Sequence, residues 1–131
     1  MKVYLAARFS RIMEMRTYRY QLEKIGIQAT SRWVNEDPQA GFNRYDSFET
    51  YAQHDLDDVL AADLLIFFSE PEGVSTSGGR HVEFGIALAA GIPIYVVGEH
   101  ENVFHSLPSV RHWSSWAQLI KALRTKVEVH A

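Results

Sequence analysis

The sequence predicts an α/β fold: a three-layer, doubly wound (Rossmann- or flavodoxin-like) parallel sheet of about five strands, one domain over residues 1–131. Three observations carry that expectation. Short apolar runs of β-formers alternate with stretches of helical spacing along the chain. Two of those runs, DLLIFFS (63–69) and IPIYVVG (92–98), are nearly free of polar residues, as strands covered on both faces are. Finally, 131 residues without an internal repeat or a visible linker suit a single core.

In chain order, KVYLA (2–6) is the first strand. SRIMEMRTYRYQLEKIG (10–26) follows with helical spacing, Ser10 placed to cap it and Gly26 to end it. IQATSRW (27–33) reads as the second strand, and NEDPQAGFNRYDS (35–47), with Pro38 and Gly41, as a long loop of the kind that often carries function. FETYAQHDLDDVLAA (48–62) is a helix expected to bury Phe48, Ala52, Leu56, Val59 and Leu60, with Asp57 and Asp58 as solvated acids. The third strand (63–69) leads through the loop EPEGVSTSGG (70–79) into a small-residue helix, and the fourth strand spans 92–98. A less regular stretch (99–113) holds a short last strand near residues 110–113, and WAQLIKALRTKV (116–127) closes the chain as a helix.

Composition narrows the function classes. The chain is 47% hydrophobic and 22% charged, ordinary for a globular protein. A net charge of −3 without long runs of either sign argues against a nucleic-acid or membrane partner. With no cysteine, disulfides and thiolate chemistry are excluded. The apolar part of MKVYLAARFSR is too short for a signal peptide or a membrane span, so a cytoplasmic location is expected. None of the six histidines sits in H-E-x-x-H or a comparable cluster, and Gly78, Gly79 and Gly85 do not form the dinucleotide fingerprint. No metal or cofactor is therefore expected.

The stretch SGGRHVEFGIALAAG (77–91) poses the chemical question. Glu83 stands in an apolar helical run whose nearest counter-charge is Arg80, one turn earlier. Taking a carboxylate out of water costs several kcal/mol unless it is paired or neutralised. The residue either pairs structurally with Arg80 or His81, or it does chemistry. In the predicted fold, ligands bind beyond the carboxyl ends of the strands. Glu83 falls in the first turn or so of the helix leaving the 70–79 loop, facing that crevice, where a helix start favours an anion.

YLAARF near the start, HDLDDVLAAD in the middle and SGGRHVEFGIALAAG together resemble the nucleoside 2-deoxyribosyltransferase superfamily, over about residues 3–98. That superfamily includes transferases that exchange bases on deoxynucleosides and hydrolases that cut the N-glycosidic bond of nucleoside 5′-monophosphates. The resemblance implies that Glu83 is the nucleophile, held by a hydrogen bond from Tyr4, and that Asp55 protonates or hydrogen-bonds the departing base. Helical geometry alone does not choose between Asp55 and Asp57, which flank opposite sides of the apolar stripe. Two acids in different settings suit the reaction, since one must be ionised beneath an oxocarbenium-like sugar and the other must hold a proton.

At the substrate's 5′ end, the superfamily's transferases often carry an aspartate six residues before the nucleophile, suited to a free hydroxyl. Its monophosphate hydrolases resemble this chain in carrying serine there, here Ser77. Ser77 and the backbone at Gly79 open a helix, a setting that suits phosphate, and Arg80 and Arg8 add charge. Arg8 departs from the hydrolases' pattern, which has another serine at its place. Phe9 and Trp33 are candidates for stacking on the base. Members of the superfamily assemble as homodimers or larger oligomers with shared sites, and Ser106 is the candidate for a contact lent to a neighbour. The expectation is an N-glycosidase of (deoxy)nucleoside 5′-monophosphates, with base exchange between deoxynucleosides as the alternative enzyme. A non-catalytic nucleotide-binding or sensing module is the alternative from another class; it would not need Tyr4, Asp55 and Glu83 together.

Overall fold

The computed structural model describes residues 1–38, 48–74 and 76–130. The expected 35–47 loop lies mostly outside the described residues. Five parallel strands form one sheet: β1 Lys2–Ala6, β2 Gln28–Ala29, β3 Leu64–Phe68, β4 Ile94–Val97 and β5 Val110–Trp113, in the order β2-β1-β3-β4-β5. Four helices connect or follow them: α1 Ile12–Lys24, α2 Phe48–Leu60, α3 Gly79–Ala89 and α4 Trp116–His130. Among the described residues, no helix is long and apolar enough to cross a membrane.

The central strands are apolar because helices cover both of their faces. Every residue of β3, and Val3 to Ala6 of β1, is buried. Alternation then sends neighbours to opposite layers. Phe68 meets Tyr18 of α1 and Trp116 of α4, whose rings stack on each other at 4.3 Å. Phe67, one residue earlier, meets Phe84 and His81 of α3. Tyr4 in β1 pairs in register with Leu65, so it belongs to the same layer as Phe67 and faces α3.

Three expectations change. The second strand is two residues long rather than seven, because side chains replace its ladder. The Leu5 N–H donates to Ser31 Oγ (3.2 Å), and the Leu5 carbonyl accepts from Trp33 Nε1 (2.8 Å). The chain is thereby freed to turn into a 3-10 helix at Arg32–Asn35. Ser10 caps nothing: it lies in a 3-10 turn, Phe9–Arg11, and α1 starts at Ile12 without a side-chain cap.

Helix α2 departs most. Of its apolar stripe only Val59 is buried, while Phe48, Ala52, Leu56 and Leu60 are exposed. Asp58, expected to be solvated, is buried instead. Its carboxylate accepts from the backbone N–H of Arg32 (2.9 Å) and from that residue's Nε (2.9 Å), tying α2 to the 3-10 turn after β2. Burying a carboxylate is tolerable when hydrogen bonds and a guanidinium replace its water.

Candidate active site

The strand order reverses between β1 and β3, with β2 added on one side and β4 on the other. Chains leaving these two strands pass to opposite faces and open a crevice at their carboxyl ends. Tyr4 reaches that crevice from β1. The loop after β3 enters α3 through Gly78, whose φ of +86° lies in the left-handed region that favours glycine.

Glu83 is the fifth residue of α3, a turn deeper than expected. The unpaired N–H groups of a helix start belong to its first four residues, so they do not reach this carboxylate. Its stabilisation comes from across the crevice, where the buried Tyr4 hydroxyl donates to Glu83 Oε2. Burial pushes the Glu83 carboxyl up to about 8; the tyrosine hydrogen bond pulls it down, and the negative charge of Asp55 pushes it up further. Burial, followed by the charges of Glu83 and Asp55, drives the Tyr4 hydroxyl far above its ordinary range, so it stays a donor.

Asp55 lies on α2, which packs against α3. Burial raises its carboxyl to about 7, with Glu36 and Asp58 adding to the rise and Arg32 opposing it. The neighbouring acids differ in setting: Asp55 is half-buried, and its charge adds to the rise at both Tyr4 and Glu83. Asp57 is exposed and accepts instead from Gln53 Nε2 at 2.9 Å. Glu83 and Asp55 thus both resist ionisation, and Tyr4 is bonded to the first of them between sheet and helix.

The remaining expected residues divide. Arg8 lies just past β1, partly exposed, and none of the described hydrogen bonds or ion pairs engages its guanidinium. Phe9 is exposed beside Trp33, their rings 6.2 Å apart, whereas Trp33 is buried and fixed through Leu5. Ser77 and Gly79 are exposed at the entry to α3.

Arg80 corrects the expectation of a phosphate contact. Its side chain is only 2% exposed, both terminal nitrogens are paired with the Glu101 carboxylate, and its guanidinium sits 4.9 Å over the Phe67 ring. The charge is therefore already matched inside the protein. Ser106 ends a 3-10 turn, Val103–Ser106, exposed, with its hydroxyl 3.2 Å from His100 Nδ1.

Sequence reasoning missed Glu101 and His105. Both lie in the stretch after β4, so their place at the carboxyl edge of the sheet was a usable signal. Among the described residues, no group of three or more His, Asp or Glu side chains is arranged to hold a metal ion. A shallow hollow of about 250 Å³ at the ends of β4 and β5 is lined by Gly98, Glu99, His100, His112, Trp113 and Ser114. None of Tyr4, Asp55 or Glu83 lines it, so it lies apart from the carboxyl pair.

No protein-family model matches the chain, and no curated protein matches its sequence. Solved structures do match its fold. A 2-deoxyribosyltransferase from Bacillus psychrosaccharolyticus has a TM-score of 0.71 at 20% identity, over 92% of this chain and 90% of that one. A CMP N-glycosidase from Clostridium botulinum has a TM-score of 0.64 at 23% identity, over 94% and 98%. A conserved protein from Enterococcus faecalis has a TM-score of 0.61 at 19% identity, over 96% and 98%. The chain therefore has the doubly wound parallel fold shared by these proteins, over nearly its whole length.

Proposed function

We propose that this chain is an N-glycosidase that cleaves the base–sugar bond of (deoxy)nucleoside 5′-monophosphates. The observation that carries the reading is the Tyr4–Glu83 hydrogen bond at the point where the strand order reverses, with Asp55 close enough to act on both. A fold alone hosts many functions, so the likeness to a deoxyribosyltransferase and a CMP N-glycosidase raises the reading without deciding it.

In the proposed reaction, Glu83 attacks the anomeric carbon of the sugar as its bond to the base nitrogen breaks. The bonding electrons leave with the base, which takes the proton held by Asp55. Water then attacks the same carbon, gives a proton back to Asp55, and releases Glu83 as the carboxylate. This is the retaining, two-carboxyl scheme of glycoside hydrolysis. Tyr4 holds the nucleophile in place and stabilises its ionised form. Arg8, Ser77 and the Gly79 backbone take the 5′-phosphate at the entry to α3. Phe9, exposed beside the buried Trp33, offers a face for the base.

One observation favours base transfer between nucleosides instead: Arg80 is matched by Glu101, which leaves the 5′ end with fewer free cations than the sequence promised. The exposed apolar residues Leu56 and Leu60 of α2 and Val82 of α3 support a homodimer or larger assembly, with Ser106 lent to a neighbour's site. Incubation with nucleosides and their 5′-monophosphates, with free base followed by chromatography, tests the reading. Base release from a monophosphate, faster than from its nucleoside, is the expected result. No release from any of them leaves only the binding module, and faster turnover of nucleosides on adding a second base identifies a transferase.

A further inference from the structure

Glu101 holds more partners than any surface acid would need. Its Oε2 accepts from the backbone N–H of Glu70 (3.2 Å), and its two oxygens take both terminal nitrogens of Arg80. Its Oε1 lies 3.9 Å from His81 Nε2, and its own backbone N–H donates to His105 Nδ1 at 3.0 Å. Glu70 follows β3 and Arg80 opens α3, so one carboxylate from a different connection fastens both ends of the loop that delivers Ser77 and Gly79. Hydrogen bonds from Arg80 and the Glu70 N–H outweigh its burial and hold its carboxyl below the ordinary range, so it is ionised throughout neutral pH.

The carboxylate is itself anchored. His105 is 1% exposed, packed against the rings of Phe67 (4.9 Å) and Phe84 (5.0 Å). Burial drives its imidazole down to about 4, so it is neutral and its Nδ1 accepts from Glu101. The Phe67 ring carries the Arg80 guanidinium as well. The next contact is equally tight: Ser69 Oγ donates to the Glu99 carbonyl at 2.6 Å, and a Cβ at Gly98 would lie 3.0 Å from Ser69 Cβ. Gly98, Glu99, Glu101 and His105 thus hold the segment after β4 against the ends of β3 and α3, while Asn102, Val103 and Phe104 stay exposed.

We infer that Glu101 is a positioning residue, which fixes the loop between β3 and α3 in the geometry that receives the substrate's 5′ end. The inference rests on the glycosidase reading for its substrate. It assigns Arg80 to the scaffold: the arginine acts on the 5′ end through loop placement, with Glu101 as its mate. Replacing an ion pair such as this by apolar side chains of similar size often leaves stability unchanged or raised, whereas removing one partner strands the other charge. That asymmetry supplies the control.

The test compares the wild type, Glu101→Gln and the double variant Arg80→Leu/Glu101→Leu, the last chosen because it strands no charge. Amide hydrogen exchange and steady-state kinetics are read on each, with a nucleoside 5′-monophosphate and its nucleoside as substrates. Expected are exchange at least tenfold faster for Glu70 and residues 79–82 in both variants, with β1 and α1 unchanged. KM for the monophosphate should rise at least tenfold, with kcat for it and kcat/KM for the nucleoside staying within about threefold. Unchanged exchange, an unchanged KM, or equal losses on both substrates would each overturn the inference. A wild type inactive on every substrate would sink the glycosidase reading, and with it any role of Glu101 toward substrate. The exchange pattern would then show separately whether the fastening itself exists.

Discussion

A carboxyl that resists ionisation in the folded protein makes the fold pay for its charge, and Glu83 should show this directly. Its carboxyl is lifted from an ordinary 4.5 to about 8. The folded state therefore holds this proton more tightly than the unfolded chain does. The stability it contributes is fully present below about pH 4.5 and is lost as pH rises to about 8, above which the loss is constant. At about 1.4 kcal/mol per pH unit the full loss is roughly 5 kcal/mol. The Glu83 side chain keeps some exposure, so water screens part of the charge, and about 2–3 kcal/mol is the order expected for the measured loss. Glu83→Gln keeps an acceptor for the Tyr4 hydroxyl and removes the titration. The variant should match the wild type in stability at pH 4.5 and exceed it by about 2–3 kcal/mol at pH 8.5, about 5–10 °C in Tm for a chain of this size. Thermal and urea unfolding at both pH values measures the difference. Parallel stability curves for the two proteins between pH 4.5 and 8.5 would refute the claim that the fold resists ionisation of Glu83.

Other outcomes follow from the same geometry. Glu83→Ala should cut turnover by several orders of magnitude; a variant keeping more than about a tenth of the wild-type rate has lost under ~1.4 kcal/mol of barrier, too little for a nucleophile. Asp55→Asn should slow natural nucleotides by ~10²–10⁴-fold yet spare a nitrophenyl glycoside, whose leaving group needs no proton; equal losses on both would make the residue structural. The same substitution removes a negative charge that raises Glu83, so the acidic limb of kcat/KM on that nitrophenyl substrate should move to lower pH. Tyr4→Phe removes the hydrogen bond that lowers Glu83 and should move that limb to higher pH; a limb unmoved in both variants would show that it does not report Glu83.

Much of the fold was legible because its causes are local or periodic. Strands β1, β3 and β4 announce themselves as apolar runs, since a strand covered on two faces has no room for polar residues. What the pattern could not show is how side chains intervene over distance. Ser31 and Trp33 cut β2 short by taking the hydrogen bonds of Leu5, 26 and 28 residues away. Asp58 looked like its neighbour Asp57, and only Arg32, brought in by the sheet, distinguishes them. The period of α2 is helical, but periodicity does not say whether a stripe meets the core or remains exposed, and Phe48, Leu56 and Leu60 remain exposed. The site shows the same division. Glu83 stood out by its apolar surroundings, whereas the link to Tyr4, 79 residues away, was implied by the resemblance alone.

Arg80 decides how the 5′ end should be tested. Substituting it is an obvious probe of phosphate binding, but Arg80→Ala would strand Glu101 and loosen the loop. A lost phosphate preference would then report loop placement as readily as a lost contact. Arg8 is the cleaner probe, because its guanidinium is partly exposed and makes no described hydrogen bond or ion pair. A charge-assisted contact with phosphate contributes about 1.5–3 kcal/mol, so one such contact is worth roughly ten- to hundredfold in kcat/KM. Arg8→Gln should therefore lower kcat/KM for the monophosphate by at least tenfold, leave the nucleoside within about threefold, and leave amide exchange in residues 79–82 unchanged. Glu101→Gln should differ by disturbing that exchange. If Arg8→Gln leaves the monophosphate preference intact, the cation at the 5′ end is not Arg8. If the wild type prefers the unphosphorylated nucleoside from the outset, the buried Arg80–Glu101 pair has its simplest meaning: no phosphate binds there, and base transfer becomes the better reading of the site.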